Sequence, residues 1–206
     1  MDRYSSADGL YCENLTEINS IATTFTAHPM GASITLVDCG GEDDIVTTII
    51  ANTMLSDNKV GIHLVDSSCT IVGNVFDANS ESHIVVHDCG SRWVVIDNND
   101  FLWRSGPSQG LKIDRSDYGN HLQVNRNDFY GHNLTNSSYA VFVSSLIPLA
   151  GGDWWFIVAD DNFWGSINGP HDPGPPTGSD GDYNNNPAGD RVNDGVDYRP
   201  FATSPH

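Results

Sequence analysis

Gly61-Ile62-His63-Leu64, Asn74-Val75-Phe76, His83-Ile84-Val85-Val86 and Asn99-Asp100-Phe101 follow one another in the middle of the chain, and their alternation decides the fold. One phrase is a β-rich run closed by Asn or Asp and a large apolar residue. It extends outward to Asn52-Thr53-Met54, Asn127-Asp128-Phe129 and Asp161-Asn162-Phe163, with Thr23-Thr24-Phe25 as a degenerate first copy. The apolar anchors at 25, 54, 76, 101, 129 and 163 lie 29, 22, 25, 28 and 34 residues apart. The second phrase extends to Gly9-Leu10-Tyr11-Cys12, Ser33-Ile34-Thr35-Leu36, Gly110-Leu111-Lys112-Ile113 and Ala140-Val141-Phe142-Val143. The two phrases keep step along the chain, which chance matches would not do.

Each unit is too short for a helical crossover at every step, and apolar residues alternate with period two. Short strands separated by Asn, Asp, Gly and Ser turns suit a solenoid, in which each coil buries its inward side chains on its neighbours. Asn tolerates a left-handed bend between strands, and stacked amides can hydrogen-bond along the axis. An antiparallel sandwich would not demand the same anchor at a matching place in every unit. The expected fold is all-β: a right-handed single-stranded parallel β-helix of about six coils over residues 1–164. A Gly/Pro/Asp-rich capping segment of the same domain follows over residues 165–206.

The coils resemble the parallel β-helix repeat of the pectate-lyase-like superfamily between about residues 9 and 164. Asn162-Phe163-Trp164-Gly165, Gly169-Pro170 and Asp194-Gly195-Val196-Asp197-Tyr198-Arg199-Pro200-Phe201 look like the closing segment of prokaryotic β-helix repeat proteins. The resemblance implies a tail folded over the last coil. It does not give a function, since that group contains lyases, epimerases, adhesins and proteins without known activity. Residues 1–8 are too short and polar for the amphipathic helix that covers the first coil in many relatives. An open N-terminal edge is therefore expected, one that could recruit other protein chains, including head-to-tail self-assembly.

The charge is lopsided: 27 Asp and Glu against 9 Lys and Arg, a net −18. Such a field repels phosphate backbones, so nucleic acid is not an expected partner. No run approaches the roughly 18 apolar residues of a membrane span. The sequons at Asn14, Asn133 and Asn136 suit an exported chain, and the expected location is extracellular or cell-surface, with the leader absent from this sequence.

Aligning the second phrase turns Ile34, Ile62, Ile84, Leu111 and Val141 inward, with Leu36, Leu64, Val86, Ile113 and Val143. Thr35, His63, Val85, Lys112 and Phe142 then face outward, as do His87 and Asp114. His63 and His87 fall about 7–8 Å apart on a diagonal, with Asp114 beside His87, a grouping that could hold a metal or do acid–base work. At the next turn Asp38, Asp66 and Asp88 stack, with Arg115 in the same slot of the following coil. Carboxylates spaced about 4.8 Å repel, and either Ca²⁺ or hydrogen bonds within each turn would offset them. That column is chemically similar to the lyase members of the superfamily, where calcium acidifies a uronate and an arginine takes the proton. By that resemblance Arg115 is a catalytic candidate, and His87 is one by the acid–base grouping on the sheet face. Trp93, His121 and Trp155 form an outward aromatic column suited to sugar rings or a partner protein. Asp180-Gly181-Asp182-Tyr183-Asn184 has calcium-loop spacing but lacks the downstream Glu.

Two functions remain open. The first is a non-catalytic extracellular structural, adhesive or assembly subunit that could also bind carbohydrate. The second is a calcium-dependent polysaccharide lyase or epimerase acting on an acidic glycan. The alignment also places Cys12, Cys39, Cys69 and Cys89 too far apart for disulfides, which need Cα atoms within about 7 Å, so four thiols are expected.

Overall fold

A computed structural model describes residues 8–40, 48–88, 92–104, 109–114, 121–131, 138–144, 157–172, 184–193 and 196–206. Among these residues there is no helix. The chain is a parallel β-solenoid built on three sheets.

The first sheet stacks β1 (Leu10–Glu13), β4 (Ala32–Val37), β7 (Val60–Val65), β10 (Ser82–His87), β13 (Gln109–Asp114) and β16 (Tyr139–Val143). The second stacks β2 (Asn19–Ile21), β5 (Ile49–Ala51), β8 (Cys69–Val72), β11 (Val94–Asp97), β14 (Leu122–Asn125), β17 (Ile157–Val158) and β18 (Val196–Asp197). The third stacks β3 (Thr24–Thr26), β6 (Met54–Ser56), β9 (Val75–Asp77), β12 (Asp100–Leu102) and β15 (Asp128–Tyr130). The coils carrying β4 to β15 are bonded on both faces, so about four interior turns lie between two end coils rather than six equal ones.

The first-sheet register agrees with the sequence alignment residue by residue. Leu10, Ile34, Ile62, Ile84, Leu111 and Val141 pair in one column, and Cys12, Leu36, Leu64, Val86, Ile113 and Val143 in the next. Every member but Leu10 is buried. Cys39 and Cys69 are also buried, and with Cys12 they are thiols; Cys89 lies outside the described residues.

The anchor phrase needs a correction of one residue at two places. Leu55, not Met54, pairs with Phe76, and the amide column begins at Thr53 rather than Asn52. In the last coil Trp164 stacks on Phe129, while Phe163 bridges to Asp128 on the outer side. The core of the third sheet is therefore a continuous ring stack. Phe76–Phe101, Phe101–Phe129 and Phe129–Trp164 have centroids 5.0, 4.7 and 4.9 Å apart and planes within 9° of parallel. Small residues face this stack. A Cβ at Gly61 would stand 2.4 Å from the His83 carbonyl and 3.0 Å from the Phe76 ring, so a side chain there would collide.

Most corners among the described residues are turned by a residue with positive φ. Asn14, Asp38, Asp66 and Asp88 turn one corner, with φ between 45° and 55°. Ala22, Asn52, Gly73, Asn98, Arg126 and Asp161 turn the second. At the second corner, from Gly73 onward, the next residue is a fully buried amide, and these amides form a ladder. Asn74, Asn99, Asn127 and Asn162 lie one per coil. The Asn99 Oδ1 accepts from the Asn74 backbone N–H at 3.0 Å and from its Nδ2 at 2.9 Å. The Asn99 Nδ2 donates to the Ile71 carbonyl at 3.0 Å and to Asn127 Oδ1 at 2.9 Å. Asn127 and Asn162 repeat the pattern. Asn58 and Asn79 make a shorter ladder at the third corner, ending on Nδ1 of His83.

After Trp164 the chain closes the last coil. β18 pairs with β17, Val192 bridges to Val141, and the Ala202 N–H donates to the Asn162 carbonyl. Val192, Val196 and Tyr198 are fully buried there.

Two predictions follow from the ladder. Asn99→Ala leaves the buried Asn74 N–H and the Ile71 carbonyl without their partner, at about 1–3 kcal/mol each. Chemical denaturation should show a loss of about 3–5 kcal/mol, against about 1 kcal/mol for Asn52→Ala, where the exposed alanine takes on only the strain of a left-handed φ. His83 is fully buried, and desolvation pushes its pKa down to about 3 from 6.5. The unfolded chain then binds a proton below pH 6.5 that the folded chain refuses until about pH 3. Stability from this group is present above pH 6.5 and falls by about 1.4 kcal/mol per pH unit as pH drops through that window. Urea titrations at stepped pH should show that slope reduced in His83→Gln.

Candidate functional site

The outer face of the first sheet carries the residues that sequence reasoning favoured. His63 pairs with Thr35 and Val85, and His87 pairs with Val65 and Asp114. The face is less solvated than a bare sheet. Thr35 is only 1% exposed, and its hydroxyl donates to Asp8 Oδ2 at 2.9 Å. Asp8 Oδ1 accepts the Ala32 N–H, while Ala32, Val60 and Val85 form a small buried apolar cluster. Burial lowers the His63 pKa, and the nearby His87 charge lowers it further. Lys112 Nζ lies 2.9 Å from Asp114 Oδ2. Burial alone would raise Asp114, but bonds from Ser144 and Lys112, with the Lys112 charge, hold it below the ordinary carboxylate range. His87 Nε2 sits 3.1 Å from Asp88 Oδ2.

The aspartate column exists, and each member turns the corner with positive φ, a conformation that short polar side chains tolerate. What offsets its charge was not legible. Arg92, 6% exposed, reaches across two coils from the start of β11. Its guanidinium contacts Asp66 Oδ1 at 3.1 Å, Asp38 Oδ1 at 2.6 Å and the Gly40 carbonyl at 3.3 Å. A guanidinium thus lies against Asp38 and Asp66, whose charges Ca²⁺ or hydrogen bonds within each turn were expected to offset, and Asp88 lies against His87. Among the described residues no group of three or more His, Cys, Asp or Glu side chains converges on a metal position. Arg115, expected in the fourth slot, lies outside the described residues, as do Trp155, Asn133, Asn136 and residues 180–183 of the calcium-like loop. Asn14 is exposed at the first-coil corner. Trp93 and His121 meet edge to face with centroids 5.0 Å apart, each half-buried.

A second polar site was missed by the sequence reading. It lies at the corner between the second and third sheets, a groove of about 230 Å³ lined by Asn52, Gly73, Val75, Asn98, Asp100, Arg126, Asp128 and His206. Asp100 and Asp128 are direct partners on β12 and β15. Asp128 is 4% exposed, and both its oxygens accept the His206 N–H, at 3.2 and 3.1 Å. The Tyr130 hydroxyl approaches Oδ2 at 3.5 Å. Loss of hydration raises the pKa of both carboxyls, and the Asp100 charge raises Asp128 further. Burial and the Asp128 charge push Tyr130 up to about 12. Arg126 on the rim is paired with Asp97. The signal was present as Asn99-Asp100-Phe101 and Asn127-Asp128-Phe129, but those phrases read as fold anchors rather than as paired carboxylates.

Comparison with protein-family models, curated proteins and solved structures finds no match to this chain. No helix among the described residues is long and apolar enough to cross a membrane.

The Arg92 arrangement is testable. Arg92→Gln leaves Asp38 and Asp66 facing each other without a cation. Both carboxylates are about half exposed, so solvent screens the effect, and a loss of about 1–2 kcal/mol is expected. Calorimetry should show a calcium-induced rise in Tm that is larger in Arg92→Gln than in the parent chain. An equal rise in both would mean that Arg92 does not occupy the cation's place.

Proposed function

We propose that this chain is an extracellular structural or assembly subunit, a β-helix of the pectate-lyase-like type whose N-terminal coil docks another polypeptide. The observation that carries this reading is the difference between its two ends. At the C-terminal end, Trp164, Val192, Val196 and Tyr198 are buried beneath the closing segment. At the N-terminal end, β1, β2 and β3 each pair on one side only among the described residues. The core-facing Leu10, Ile18 and Phe25 of that coil are only partly buried. Exposed apolar side chains gather on the same coil: Tyr11, Leu15, Ile21 and Met30, the last 77% exposed.

Backbone N–H and C=O groups along a sheet edge, beside exposed apolar side chains, form a template for strand addition. The rim carries Asp8, Glu13 and Glu17, which favours a basic partner strand. In purified protein the available partner is a second copy. With one end closed, copies meet N-terminal coil to N-terminal coil, a contact that closes at two rather than growing head to tail. The −18 charge on each copy opposes that contact, and salt relieves it.

Light scattering across a concentration series should therefore show mass rising toward a dimer at high salt and remaining monomeric at low salt. Ile21→Lys with Met30→Lys should abolish the rise with Tm unchanged. A monomeric mass under every condition, together with slow amide exchange in β1–β3, would show that the edge is closed and the assembly reading is wrong.

A further inference from the structure

Two thiols in the first two coils depart from their columns at the same place. Cys12 opens the inward column that continues through Leu36, Leu64, Val86, Ile113 and Val143. Every later coil fills that position with a branched aliphatic side chain, and a thiol there has less apolar area to bury. Cys39 departs likewise. It follows the corner residue Asp38, just as Ser67 follows Asp66 one coil on. The Ser67 hydroxyl donates to the Val65 carbonyl at 2.8 Å, and the Cys39 thiol donates to the Val37 carbonyl in the same way at 3.3 Å. A hydroxyl therefore meets the needs of that corner, and a thiol is the weaker donor.

The two exceptions come together. Cys12 pairs with Leu36, three residues before Cys39, and the turn at Asp38 folds Cys39 back against β1. Its Sγ lies 3.4 Å from the carbonyl oxygen of Cys12, 27 residues earlier in the chain. That oxygen belongs to the carbonyl bonded to the Cα that bears the Cys12 side chain. Burial raises the pKa of the Cys12 thiol, and a charge on Cys39 raises it further, as expected of neighbours. A disulfide needs Cα atoms within about 7 Å, a span open to residues in this contact. Alignment by columns misses the approach because it crosses a corner.

We propose that Cys12 and Cys39 form a redox-sensitive clasp that ties the first coil to the second. The oxidant is a low-molecular-weight disulfide of the glutathione class. One cysteine thiolate attacks it and releases a glutathione thiolate, and the other attacks the resulting mixed disulfide and releases the second. The protein gives up two electrons and two protons and gains one S–S bond, while the oxidant leaves as two thiols. The first coil is bonded on one side only among the described residues, so the clasp adds a covalent tie at that end of the solenoid. It does not depend on docking through that coil, and it is read in the monomer at low salt.

The test uses the full chain. Folded protein is held with oxidised glutathione at about pH 8.5. A second sample is refolded from the reduced, denatured state in a glutathione redox buffer, so that slow access to buried sulfur cannot hide the outcome. Both should lose about 2 Da, peptide mapping should join the Cys12 and Cys39 peptides, and dithiothreitol should restore both thiols. Amide exchange in β1 should slow at least about tenfold in the bridged form. Cys39→Ser, which copies Ser67, and Cys12→Val, which copies Val86 and Val143, should each abolish the bridge and the slowing, with Tm held within about 2 °C of the reduced parent. A chain with no Cys12–Cys39 bridge after both treatments overturns the proposal, whether its thiols stay reduced or carry glutathione. So does pairing of either cysteine with Cys69 or Cys89 instead, or a bridge that leaves exchange in β1 unchanged.

Discussion

Everything in this solenoid depends on how a parallel coil turns its corners. A strand that bends out of one sheet into the next exposes backbone N–H and C=O groups inside the molecule, where water cannot reach them. At the second corner the buried amides of Asn74, Asn99, Asn127 and Asn162 meet that demand, each accepting from the backbone of the coil before it and donating to a carbonyl there. The residue immediately before each amide has positive φ, so the bend and its satisfaction are set by two neighbouring positions. Coil length varies in the connections between the paired strands, while this corner and the strands keep their register.

The ladder specifies the fold more than it stabilises it. A buried hydrogen bond nets about 1 kcal/mol over its solvated alternative, whereas burying a Leu, Ile or Phe side chain contributes about 1.5–3 kcal/mol. The columns from Ile34 to Val141 and from Leu36 to Val143, with the ring stack from Phe76 to Trp164, therefore supply the larger share. What the amides add is discrimination. A register slipped by one residue would place a carboxamide against the ring stack and leave several buried backbone groups unmatched, each at about 1–3 kcal/mol. His83 follows the same logic: it sits in the core beside Phe76 and Phe101, and its Nδ1 terminates the shorter ladder.

Period-two alternation and recurring Asn made the first-sheet register readable, because each inward residue sees an equivalent residue above and below. The reading slipped where the repeat is chemically degenerate. Asn52-Thr53-Met54-Leu55 offers two polar and two apolar residues in a row, and the sequence gives no means of choosing between them. Phe163-Trp164 poses the same ambiguity, which is resolved only when Trp164 completes the stack on Phe129. Arg92 could not be found at all. Its contacts cross two coils to Asp38 and Asp66, and it occupies no repeating position. Thr35 read as solvated because parity places it outward, yet Asp8 returns over that face. The carboxylate groove was hidden for the opposite reason: its residues belong to the most regular phrase and were absorbed into the fold.

The scarcity of basic residues makes their placement informative. Lys59 meets Glu81, Arg104 meets Asp77, Lys112 meets Asp114 and Arg126 meets Asp97, each pairing within or between neighbouring coils. Arg92 is the deepest of these and serves the corner where stacking brings aspartates into one column. A repeat that stacks like on like multiplies any charge at a repeating site, and Arg92 sits where that multiplication is felt, across Asp38 and Asp66. Asp100 and Asp128 are stacked in the same way, yet no cation among the described residues bridges them. The Asp128 oxygens take a peptide N–H instead, a donor without net charge, and both carboxyls keep a raised pKa. The repulsion within a stacked pair is thus met in two ways in one chain, by a guanidinium laid across Asp38 and Asp66 and by a neutral peptide donor with less ionised carboxyls at Asp100 and Asp128.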